Sequence, residues 1–188
     1  MAKSRTKSAF LTDLKARIHH HQTRATTVFQ PLDTSLLEWQ PLPKEWNILQ
    51  CFDHLNLTHN YYHSRIKLAM RTPSLVSGER DRYKSSFWGR IYMHFAFNPN
   101  YSFPTAAEIS PTTRPQLNVL DVYLDNQQTL LAFLDQVGRV DLTKTPIPIE
   151  KGVKFNLGDC LKILVYHDDL HFGQAQQILA AQKQIETL

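Results

Sequence analysis

The chain has 188 residues, 42% apolar, 20% charged and 11% aromatic, enough for one domain spanning 1–188 with a sizeable core. No apolar run reaches the roughly 18–20 residues of a membrane span, and no continuous apolar signal region follows the basic start Met-Ala-Lys-Ser-Arg-Thr-Lys, so a cytoplasmic protein with no membrane partner is expected. The net charge is +4 and the two cysteines, Cys51 and Cys160, are far apart, which excludes a disulfide framework and a zinc-knuckle spacing.

Much of the positive charge sits early, where Lys3, Arg5, Lys7, Lys15, Arg17 and Arg24 face only Asp13. No nucleic-acid motif accompanies it, so a solvated basic helix face is expected and a nucleic-acid partner is not. Ser8 to Phe29 reads as a helix, with Phe10, Leu14, Ile18, Ala25 and Val28 spaced near 3.6 residues. His19, His20 and His21 point in three directions around it, so at most one, His21, faces the core. Pro31 ends this helix. A connection from Gln30 to Glu45 follows, with room for one short turn at Thr34–Glu38.

Asn47 is a good N-cap, and Gln50 three residues on completes a capping-box pattern. The helix it starts is expected to reach about Met70, facing inward with Leu49, Cys51, His54, Leu55, Thr58, Tyr61, Tyr62, Ile66 and Met70. Arg71 to Tyr83 reads as a loop, and the aromatic run Ser86 to Phe97 as a short helix. From Asn98 to Pro115 lie prolines 99, 104, 111 and 115 with no helical period; a bare loop that long points to function or a lid. Leu117 to Val137 is helical again, with Gly138 as its expected C-cap. Pro146-Ile-Pro-Ile is extended. Asn156 caps the last helix, with Asp159 at its third position. Four long helices, with an elaborated crossover between the second and third, predict an all-α four-helix bundle.

The last helix carries His167 and His171, four residues apart and therefore stacked on one face. Gln174 follows on that face. Ile163, Leu164, Leu170, Ile178 and Leu179 flank it, so the face is expected to point inward. Two imidazoles so placed can bind one metal ion from one side, and a third ligand from another helix would complete a site.

Trp46-Asn-Ile-Leu-Gln-Cys-Phe-Asp-His54-Leu, taken with His167-x-x-x-His171-x-x-Gln174, resembles the DinB-like superfamily of four-helix proteins. The Trp88-Gly-Arg and Pro104 region and Leu157-Gly-Asp look like one subgroup of it. The resemblance covers essentially the whole chain. It implies a bundle holding a divalent metal on His54, His167 and His171. Neutral imidazoles suit zinc or nickel first, and also iron, cobalt or manganese, and three ligands leave a position open. Asp168, Gln174, Cys51 and Trp88 are candidates for the surrounding pocket.

The chemistry the resemblance implies is a metal-dependent hydrolase or a thiol transferase. The nucleophile would be an activated water or a low-molecular-weight thiolate, the partner a small-molecule substrate, and the assembly a homodimer. The alternative is a non-catalytic small-molecule-binding or stress-response module on the same bundle. His167-Asp-Asp-Leu-His171 also resembles a zinc-protease His-Glu-x-x-His with aspartate for glutamate. Aspartate is one methylene shorter and no downstream third ligand follows, which sets the protease reading aside.

Overall fold

The helices begin where side chains can satisfy the free N–H groups of a first turn. The computed structural model describes residues 5–76, 82–97, 105–149 and 154–186. Helix α1 (Lys7–Arg24) is capped by Thr6, whose hydroxyl accepts from the Ala9 amide at 3.3 Å, and runs on through a π-helical turn at Ala25–Phe29. A short α2 (Thr34–Glu38) follows. Helix α3 (Ile48–Ala69) opens on the expected capping box: the Gln50 amide donates to Asn47 Oδ1 at 2.8 Å, and the Asn47 amide to Gln50 Oε1 at 3.1 Å. After α4 (Phe87–Ala96) come a 3-10 turn (Ala107–Ile109), α5 (Val119–Gln136) and α6 (Leu157–Glu186). The last has 30 residues and is about 45 Å long. Asn156 and Asp159 form its reciprocal cap, at 2.8 and 3.2 Å. Two-residue antiparallel pairs join β1 (Arg5–Thr6) to β2 (Arg82–Tyr83) and β3 (Pro146–Ile147) to β4 (Phe155–Asn156).

Side-chain pairings give the helix directions. Lys15 meets Asp135 and Gln30 meets Asp121, so α1 and α5 are antiparallel. Arg17 covers the Tyr166 ring and Phe29 meets Phe172, so α1 and α6 are parallel. Asn56 bonds Val119, His59 contacts Gln127 and His63 meets Phe133, so α3 and α5 are also parallel. The bundle is therefore all-α and up-down-down-up. Two consecutive parallel helices require the chain to return the length of the bundle between them, which is why the connection from α3 to α5 is the elaborated one. Its residues 77–81 and 98–104, including Pro99 and Pro104, lie outside the described residues, as does Lys3 of the basic start.

The Trp88-Gly-Arg and Leu157-Gly-Asp stretches meet. The buried Asp159 carboxylate accepts from the Tyr83 hydroxyl at 2.9 Å and the Ser86 amide at 3.1 Å. A Cβ on Gly89 would overlap that carboxylate, and one on Gly158 would overlap the Tyr83 ring. This docks α4 on the first turn of α6.

Three expectations change. Gly138 is not in the left-handed conformation; Val137 takes the cap position, and the buried Lys7 ammonium donates to the carbonyls of Gly138 at 2.7 Å and Val140 at 3.0 Å. A cation thus satisfies the end of α5 where a glycine cap was expected. Leu170 is 44% exposed, on the side of α6 turned to solvent. Tyr61 and Met70 are only half-buried.

Candidate metal centre

The apolar core is divided in two. One cluster takes Phe10, Leu14 and Ile18 from α1, Tyr62 and Ile66 from α3, Leu130 to Val137 from the α5 end, and Leu157 to Val165 from α6. The other takes Ala25 and Phe29, Ile48 to Leu55, Val119 to Tyr123, and Phe172 to Leu179. At the level between them every long helix turns polar: His21 on α1, Asn56, Thr58 and His59 on α3, Asn126 and Gln127 on α5, and His167, Asp168 and His171 on α6, all buried.

Three histidines meet at one side of this level. His54 Nε2 lies 3.2 Å from His167 Nε2, which lies 3.2 Å from His171 Nε2. A tetrahedral ion bound at about 2.0–2.1 Å holds neighbouring nitrogens about 3.3 Å apart, so the spacing fits one divalent ion. Among the described residues this trio is the group of His, Cys, Asp or Glu side chains arranged to hold a metal. Trp46 walls it, its ring centroid 4.9 Å from His54 and 5.7 Å from His171.

Hydrogen bonds fix two of the three tautomers. His54 Nδ1 lies 2.6 Å from the Ile109 carbonyl, which only accepts, so Nδ1 carries the proton and Nε2 presents a lone pair. His171 Nδ1 donates to Gln174 Oε1 at 2.9 Å, with the same result. His167 Nε2, as a donor, can serve only one of these two lone pairs, and its own buried Nδ1 has no partner among the described residues. Lone pairs aimed at one point in a buried site are poorly satisfied by the protein alone and well satisfied by a cation. Burial lowers the pKa of all three rings, most for His167, where His171, His54 and His59 add to the effect, and to about 4 for His171. They are neutral at pH 7, the state a metal ligand needs.

The Ile109 carbonyl comes from the elaborated crossover. Thr112 ties the same segment to α3, its amide and hydroxyl donating to Asp53 Oδ2 at 2.8 and 3.0 Å, and Gln50 Nε2 donates to its carbonyl at 3.3 Å.

Of the residues expected around the metal, Gln174 is hydrogen-bonded to a member of the trio. Asp168 points elsewhere: its oxygens accept from His59 Nε2 and Gln127 Nε2, both at 2.9 Å. The next residue, Asp169, is held by Arg17 at 2.7 Å and His21 at 2.6 Å. Both aspartates accept from imidazoles, but not from those of the trio. Cys51 lies in the second apolar cluster, its thiol pushed by burial up to about 12. Trp88 is on α4, its ring edge-on to Phe87, by the first turn of α6; Asp159 there and His167 are two turns or about 12 Å apart along the axis.

Sequence reasoning missed His59, His63, Gln127 and the Ile109 carbonyl. Its one available signal was the run of buried-face polar residues in α3, where a stripe of apolar residues would be the norm. It also took Trp46 only as a helix-start marker.

No curated protein and no solved structure gives a significant match to the chain. The family model of the DinB superfamily matches residues 17–175, from α1 through the trio and Gln174. The chain belongs to the DinB superfamily.

Proposed function

We propose that this is a cytoplasmic, divalent-metal-dependent enzyme of small molecules whose metal, zinc or nickel first, is held by His54, His167 and His171. The convergence of three Nε2 atoms, that of His167 lying 3.2 Å from each of the other two, carries the reading. When bound, such an ion lowers the pKa of a thiol or water in its open position enough to favour the nucleophilic form near neutral pH. The protein's own part is to hold the rings. The Ile109 carbonyl orients His54, Gln174 orients His171, and the Trp46 indole shields the two rings from solvent on one side.

Between the two reactions of the family, thiol transfer is favoured. Hydrolysis of an ester or amide also calls for a group that hands a proton to the departing oxygen or nitrogen, and the oxygens of Asp168 and Asp169 are engaged by His59, Gln127, Arg17 and His21. A thiolate that adds to an electrophile has no such group to expel.

The test uses protein purified without a histidine tag. Elemental analysis should find bound metal, and added zinc, nickel or cobalt should raise the melting temperature. The loaded protein should conjugate a low-molecular-weight thiol to an electrophile faster than it cleaves esters or amides. His54→Ala and His167→Ala should lose both metal and activity. No metal bound and no thermal shift would end this reading. Metal bound with no turnover on any substrate of the panel would leave a binding module in its place.

A further inference from the structure

The HDDLH segment connects to all three other long helices. His167 meets His54 on α3, Asp168 meets His59 on α3 and Gln127 on α5, and Asp169 meets His21 and Arg17 on α1. Its two aspartates are treated very differently. Asp169 is 35% exposed and paired with a guanidinium. Asp168 is 0% exposed, and its ion-pair contacts among the described residues are to His59 at 2.9 Å and, beyond hydrogen-bond reach, His21 Nδ1 at 3.8 Å. No lysine or arginine pairs with it among the described residues.

A buried carboxylate without a full positive partner costs several kcal/mol, which good hydrogen bonds only partly offset. This one sits next in sequence to one metal-candidate histidine and three residues before the other. We infer that the Asp168 carboxylate is the buried counter-charge of the metal centre, there to offset a divalent cation on the three imidazoles. The inference rests on the metal-binding reading above. Its logic is electrostatic: three neutral ligands leave the ion's whole charge in the protein interior, where opposite charges interact far more strongly than in water.

Asp168→Asn separates charge from scaffold. Asn Oδ1 still accepts from His59. Gln127 Oε1 has no partner among the described residues, so the Gln127 amide can turn over and accept from Asn Nδ2. The hydrogen bonds are kept and the charge is lost. Gln127→Ala does the reverse, removing a hydrogen bond and keeping the charge.

Tag-free metal-free protein is titrated with cobalt(II), read by its visible absorption, and with zinc(II) in competition with a chelator. Melting temperatures of the metal-free forms are measured alongside. Asp168→Asn should bind both ions about 10–100-fold more weakly, the range for residues just outside a ligand set, while its metal-free form melts no lower than wild type. Gln127→Ala should change affinity much less. Equal affinities for wild type and Asp168→Asn, an equal loss in Gln127→Ala, or a metal-free Asp168→Asn that does not fold would each overturn the counter-charge. If wild type itself binds neither ion, it is the metal-binding reading that fails.

Discussion

Two histidine clusters share the polar level of the bundle, about one helical turn apart on α3, and they solve opposite problems. In the inner one a donor can face an acceptor at each step toward the carboxylate: His63 Nε2 lies 3.4 Å from His59 Nδ1, His59 Nε2 is 2.9 Å from Asp168, and Gln127 donates to the same carboxylate. In the outer one His54, His167 and His171 turn like atoms toward each other, and the outward nitrogens of His54 and His171 are tied down by Ile109 and Gln174. The same side chain builds scaffold where a carboxylate opposes it and a ligand set where only other imidazoles do. Buried polar groups that complete one another stabilise a fold, whereas groups left incomplete mark where something else binds.

This contrast is sharpest in paired substitutions. His59→Leu should destabilise the protein by about 3–5 kcal/mol, with or without zinc, because it strips a buried carboxylate of a partner; urea denaturation reads this. Its counterpart, His54→Leu, should leave the metal-free protein as stable as wild type, since it removes one of the opposed lone pairs. If His54→Leu is the more damaging of the two without metal, the distinction between the clusters collapses.

Zinc provides the next largest effect. At a thousandfold excess over its Kd it should stabilise wild type by about 4 kcal/mol. That increment should persist in His63→Leu and vanish in His54→Leu, as followed by thermal melting.

Acid should act on both clusters. Burial holds His171 at about 4, and burial with the neighbouring His59 holds His63 at about 3, against an ordinary value near 6.5. Folded rings thus stay neutral where unfolded ones are protonated. Stability of the metal-free protein should be full above about pH 6.5 and fall by a few kcal/mol as pH drops from there toward 3–4. A flat profile across that window, measured by urea midpoints, would mean that the rings are not desolvated as described. The smallest effect expected is that of Gln174→Leu, which frees His171 Nδ1 and should weaken zinc by about tenfold with little change in metal-free stability.

Much of this was legible in the sequence. Pro31, the Asn47/Gln50 box and the Asn156/Asp159 cap announce helix ends through interactions a few residues long, and these are as expected. The pairing of His167 with His171 follows from helical periodicity alone. His54 came from the family pattern, since periodicity places it only near an inward face. The inner cluster was hidden for a physical reason: whether His59 meets Gln127 and Asp168 depends on how far three helices slide along one another, and no local pattern encodes that offset. The direction of Asp168 was hidden too, since one residue turns it about 100° away from His167. The Ile109 carbonyl has no side-chain signature at all. Gly138 misled because the cation that satisfies the end of α5 lies 131 residues away in the chain.

The way α6 completes the polar level bears on the order in which the protein can be made. Its partners on α1 lie 148 and 152 residues upstream, and those on α3 lie 109 and 113. A chain emerging from the ribosome exposes His21, His59 and Gln127 long before Asp168 and Asp169 exist to meet them. The first three long helices then face one another across His21, His59 and Gln127 without the carboxylates that answer them, a poor seed for early collapse. Domains of this kind wait for their last segment, and a chain stopped before Leu157 should remain protease-sensitive however long its first three helices are given to assemble.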